Sequence, residues 1–167
     1  MQNTIIRSWL TVAVLIAAAI CIAPAPSYAG TAAAKTPAQI LATQEKNKQI
    51  VTDFYTKIII QGDFEAGKKY FGDRYIQHNP YAPNGPEALK KFLDNFKGKL
   101  PNAHTEIKHI YADGDYVILH VFSTSGEPGD HGSAIVDIFK LEDFKVVEHL
   151  DVIQSIPATS ANDNTMF

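Results

Sequence analysis

From Pro37 onward, apolar residues recur at helical spacing: Ile40, Leu41, Ile50, Val51, Phe54, Tyr55, Ile58 and Ile59. The spacing predicts one long helix that starts at Pro37, where a first turn tolerates proline, and runs to Gly62. Asp63 stands where it can cap a short second helix over residues 64–70, which Phe71-Gly72 closes. Tyr75 to His78 reads as a brief extended piece, ended by Asn79-Pro80 and a loop holding Pro83, Asn84 and Gly85. Pro86 then opens a third helix with Leu89, Phe92, Leu93 and Phe96 on one stripe.

At His104 the period changes. Segments 104–112, 115–124, 133–141 and 145–153 are rich in β-branched and aromatic residues, and turn signals separate them. They predict a four-stranded antiparallel meander. Helices followed by strands indicate an α+β domain, with three N-terminal helices packed on one face of a curved antiparallel sheet. A sheet covered in this way leaves a conical cavity suited to a small ligand.

The first 29 residues follow a different pattern. One positive charge precedes the uncharged run Trp9 to Ile22, Pro24 and Pro26 break it, and Ser27 and Ala29 put small residues at −3 and −1 of a cut before Gly30. This is the three-part pattern of a cleaved signal peptide, so a secreted or periplasmic location is expected, with membrane contact only during export. Lipidation at Cys21 is the alternative, and Ile20 before it argues against that processing. Cleavage after Ala29 removes the single cysteine, which excludes cysteine catalysis and suits an oxidising compartment. It also makes the chain one unit more acidic than its formal charge of −3, so there is no basic field for nucleic acid.

The candidate chemistry rests on carboxylates and histidines. On the third expected strand Asp137 shares a face with Ile135, Phe139 and Leu141. A carboxyl group in such a row needs a partner or becomes a neutral donor. On the last strand His149 and Asp151 share a face with Val147 and Ile153. If Leu141 opposes Val146 across a clean two-residue turn at Asp143-Phe144, Asp137 and His149 fall on opposite faces; a bulged turn, with one extra residue, brings them together. The pattern leaves both registers open. His78 ends the extended piece at a loop, where a histidine serves as base or as polar surface. His120 lies in a row with Tyr116, Ile118 and Phe122, facing a pocket or an interface. No metal-ligand spacing, phosphate loop or nucleophile elbow is present, so no metal or cofactor is expected.

The run Tyr75-Ile76-Gln77-His78-Asn79-Pro80, the segment Val136 to Leu141, and Val147-Glu148-His149-Leu150-Asp151 together resemble the SnoaL-like polyketide cyclases of the nuclear transport factor 2-like superfamily. The likeness covers residues 44–156 and extends to the tail Asn162 to Phe167. It implies a cone of three helices over a curved sheet, with Asp137 as the strand acid that ketosteroid isomerases use toward an enolate oxygen. It also implies that His149, Asp151 and Ile153 line the pocket, which favours a bulged turn over the clean one. The isomerase base falls near His78 and Asn79, where this chain has no carboxylate, and His78 would take that role.

The expected organisation is a signal peptide at 1–29, a flexible leader at 30–43, one domain at 44–156 and a tail at 157–167. His78, Asp137, His149 and Asp151 are the candidate catalytic groups. Phe54, Tyr55, Tyr75, Phe92, Phe96, Tyr116, His120 and Phe139 are the candidate pocket lining. A homodimer through the sheet is expected. The expected function is general acid-base chemistry on a small, largely apolar carbonyl compound, of aldol-cyclase or isomerase type, and the alternative is a non-catalytic binding module.

Overall fold

The computed structural model describes residues 34–96 and 98–167, the side chain of Phe96 excepted. The expected signal peptide at 1–29 lies outside the described residues, and among them no helix is long and apolar enough to cross a membrane.

Helix α1, Pro37–Tyr55, starts as its sequence requires. Thr36 and Gln39 form a reciprocal capping box, with Pro37 at the first helical position. The helix thus begins inside the stretch expected as a leader. It passes into a π-helical turn at Thr56–Ile60. Helix α2, Phe64–Gly67, is capped by Asp63, whose carboxylate accepts from the Ala66 N–H at 2.9 Å. A 3-10 turn at Lys68–Tyr70 then leads into strand β1, Phe71–Gln77. Helix α3 is Pro86–Phe96, and the remaining strands are β2 (His104–Asp113), β3 (Tyr116–Thr124), β4 (Ser133–Glu142) and β5 (Lys145–Ser155).

The sheet order is β1-β5-β4-β3-β2. Strands β2 to β5 form the expected antiparallel meander. The expectation of a wholly antiparallel sheet is corrected at its edge, where β1 pairs with β5 in parallel, Gln77 opposite His149. Such pairing needs a long return path, here supplied by α3 and the meander. On one face of the sheet, Val51, Phe54 and Ile58 interlock with Val117, Leu119, Val121, Phe139, Leu141 and Val146 at no more than 2% exposure. Each such side chain contributes about 1.5–3 kcal/mol of burial.

The β4–β5 register positions the site. Leu141 opposes Val146 and Glu142 opposes Lys145 across Asp143-Phe144, whose φ angles of 47° and 62° fit a type I′ turn. The clean two-residue turn is therefore present, which corrects the bulged turn expected from the resemblance. Beyond it the pairing is Lys140 with Glu148 and Phe139 with His149, so Val147 is one residue extra. This bulge reverses the alternation of β5 and brings His149 to the face of Asp137. Gly72 on β1 allows close approach to the bulge, because a Cβ there would lie 2.7 Å from Val147 Cγ1. The Lys46 ammonium sits 3.4 Å above the Phe144 ring and holds the turn against α1.

Candidate active site

A cavity of about 360 Å³ is lined by residues of α1, α3, the loop after β1, and the inner faces of β4 and β5. Its wall is mostly apolar, with Phe54, Leu89, Phe92, Ile135 and Phe139 prominent. The polar residues Gln77, Asn79, Asp137, His149 and Asp151 also line it, as do Tyr55 and Tyr75.

Asp137 is 4% exposed and fully engaged. Tyr55 donates its hydroxyl proton to Oδ2 at 2.8 Å, and His149 Nε2 lies 2.8 Å from Oδ1. The imidazole is held between the rings of Phe139, 4.8 Å away, and Tyr75, 6.5 Å away. Its Nδ1 lies 3.0 Å from Gln77 Oε1. That same oxygen accepts the backbone N–H of Asn79 at 3.0 Å, which identifies it as the acceptor atom of the amide. Nδ1 is therefore an N–H donor. Nε2 and Asp137 Oδ1 then need one proton between them, carried as imidazolium and carboxylate or as imidazole and carboxylic acid. The network thus assigns a proton to the pair.

Asp151 stands beside this pair, and the three residues bring ligand-type atoms within 4.8 Å of one another. Its Oδ2 accepts from Asn79 Nδ2 at 2.7 Å. Its other oxygen has no hydrogen-bond partner among the described residues. Burial, with Asp137 as the nearest anion, raises the Tyr55 hydroxyl far above the ordinary tyrosine range. Burial raises Tyr75 likewise, with the charges of Asp137 and Asp151 adding to it. Both remain phenols at any working pH, and the Tyr75 hydroxyl has no hydrogen-bond partner among the described residues. Asp137, His149 and Asp151 offer donor types that a divalent cation takes. Both nitrogens of His149 and both oxygens of Asp137 are used within the network, so a cation would have to displace those bonds.

Of the residues expected from sequence, Asp137, His149 and Asp151 meet at one wall, and Phe54, Tyr55, Tyr75, Phe92 and Phe139 line the cavity. Three do not. His78 points away and lies 3.5 Å from Glu148, because the alternation of β1, continued past its end, sends Tyr75, Gln77 and Asn79 inward and His78 outward. Tyr116 and His120 lie on the outer face of β3, since Val117, Leu119 and Val121 take the inner one. His120 instead stacks on His109 at 5.9 Å and packs on Phe167 of the tail at 5.0 Å. Phe96 as a lining residue lies outside the described side chains. Sequence reasoning missed Gln77 and Asn79 as site residues. The signal was their spacing of two and four residues from Tyr75.

A family model for the SnoaL-like domain matches residues 51–149. Among solved structures, a candidate polyketide cyclase from Bacillus cereus is 25% identical with a TM-score of 0.55, covering 65% of this chain and 74% of its own. An NTF-2 like protein from Burkholderia xenovorans is 18% identical with a TM-score of 0.55, covering 70% and 89%. An LEH-like epoxide hydrolase of M. tuberculosis is 16% identical with a TM-score of 0.52, covering 67% and 85%. The last two show a common fold alone. No curated protein matches the chain in sequence. The match over residues 51–149 of 167 spans more than half of the sequence, and the chain belongs to the SnoaL-like domain family.

Proposed function

We propose that this protein is a cofactor-independent acid-base enzyme acting on a small, largely apolar carbonyl compound. One observation carries the reading: a carboxylate with a free oxygen, Asp151, stands next to a proton-bearing pair, Asp137 and His149, on the wall of an apolar cavity. Asp151 removes the proton α to the carbonyl, and the C–H electron pair becomes the enolate. The Tyr75 hydroxyl donates a hydrogen bond to the enolate oxygen. The bridging proton of Asp137 and His149 moves to that oxygen, or to the alkoxide formed when the enolate carbon adds to a second carbonyl, as the Nε2–Oδ1 bridge opens. Asp151 then passes the proton it removed to the pair, which closes the bridge and resets the site. This division replaces the base role expected for His78 and leaves His149 as the bridge.

The test is deuterium incorporation α to the carbonyl of a panel of methyl ketones in D2O, followed by proton NMR. Wild type is expected to exchange, and Asp151→Asn to lose at least 100-fold in rate. Binding without exchange across the panel supports the alternative, a non-catalytic binding module.

A second reading has its own observation. The Asn79 amide and Asp151 carboxylate are in contact and together can hold a water molecule. Asp151 would then activate that water to open an epoxide, and the Asp137–His149 pair would protonate the leaving oxygen. Product formed from a terminal epoxide with ¹⁸O from solvent tests it. Export also remains our proposal, and sequencing the N-terminus of the mature protein checks cleavage after Ala29.

A further inference from the structure

We infer that the ligand is an uncharged, elongated molecule with one oxygen-bearing end, whose apolar remainder crosses an exposed rim formed by Tyr81, Phe92 and Ile153. For its polar end the inference rests on the acid-base reading above. Three observations lead to it.

Among the described residues the cavity wall contains no lysine or arginine, and its carboxyl and imidazole groups are Asp137, Asp151 and His149. The proton of the Asp137–His149 pair offsets one carboxylate, and the Asp151 carboxylate has the Asn79 amide as its one hydrogen-bond donor among the described residues. A carboxylate, phosphate or sulfate on the ligand would meet that charge with no cationic side chain among the described wall residues to offset it. Anionic ligands are therefore rejected. A neutral carbonyl or epoxide oxygen finds the free Tyr75 hydroxyl instead.

The cavity volume of about 360 Å³ is at the lower end of the ~300–1,000 Å³ usual for small-molecule sites. Yet the lining includes large apolar side chains that are exposed over much of their surface. Tyr81 is 91% exposed, Ile153 54% and Phe92 45%, and all three belong to the same wall. Tyr81 sits in the loop after β1, Phe92 on α3 and Ile153 on β5, so three separate elements contribute apolar surface to this cavity. A chain longer than the cavity would cover this surface on leaving it, and each added methylene would then gain affinity.

The experiment is calorimetric binding of 2-alkanones from six to twelve carbons, alongside fatty carboxylates of matched length. The expected result is a gain of about twofold or more per methylene beyond the length that fills the cavity, with carboxylates at least tenfold weaker than matched ketones. Tyr81→Ala is expected to flatten the gain for the longest ketones and leave six-carbon binding unchanged. Asp151→Asn is expected to narrow the gap between ketone and carboxylate. Carboxylates binding as tightly as ketones, or affinity that stops rising once the cavity is full, would overturn the inference. The acid-base reading fails separately, when ketones bind in this order and show no α-exchange.

Discussion

The hydroxyl of Tyr55 and the carboxyl of Asp137 stand 82 residues apart in sequence and meet at 2.8 Å, tying α1 to β4 at the site. Tyr55→Phe keeps the ring and deletes the donor, leaving Asp137 Oδ2 buried without a partner. Denaturant unfolding is expected to show a loss of about 1–3 kcal/mol. Asp137→Ala strands both Tyr55 and His149, and its expected cost is larger, about 3 kcal/mol or more.

Alkaline stability follows from the two raised tyrosines. In the unfolded chain a tyrosine ionises at about pH 10. In the folded chain Tyr55 and Tyr75 hold their protons well above that. The folded state therefore binds more protons than the unfolded state once pH exceeds 10. Their contribution is complete below pH 10 and lost above it, at up to about 1.4 kcal/mol per pH unit for each residue. Unfolding free energy measured from pH 8 to 12 is expected to fall in this window, and the double variant Tyr55→Phe/Tyr75→Phe to fall less steeply.

The bulge at Val147 depends on the missing side chain of Gly72. Gly72→Val forces a Cβ and two methyl groups against Val147 Cγ1. Overpacking of this kind costs about 1–3 kcal/mol. Ligand affinity is expected to fall as well, because the bulge sets which way His149 and Asp151 face. Unchanged affinity in a folded Gly72→Val protein would show that the register withstands the pressure.

Long-period features were legible in the sequence. The stripe Val51, Phe54, Tyr55 and Ile58, the capping positions of Pro37 and Asp63, and the four meander strands all follow from spacing. The site was legible only where one face of a strand carried the message, as with Asp137 among apolar neighbours. On β3 both faces are apolar, so alternation did not distinguish the core row Val117, Leu119 and Val121 from the outer row of Tyr116 and His120. The β5 register depended on a bulge inside the strand, whereas the pattern had pointed to the turn. Nothing local marks Val147 as the extra residue, because Val146 and Val147 are equally apolar and both buried. At the end of β1 the reactive residue type, His78, falls on the outer row, while the alternation brings the less reactive Gln77 and Asn79 inward.

His149 bridges Gln77 and Asp137 with both nitrogens committed, which leaves Asp151 as the proposed base. Nitrogen-15 NMR of histidine-labelled protein tests this most directly, with the His149 signals assigned by their loss in His149→Gln. The predicted spectrum has a protonated, hydrogen-bonded Nδ1. Asp137→Asn is expected to shift Nε2 strongly, and Asp151→Asn to leave Nδ1 protonated. A His149 with an unprotonated Nδ1 that shifts on ligand binding would contradict the account, because it would make the imidazole the free base.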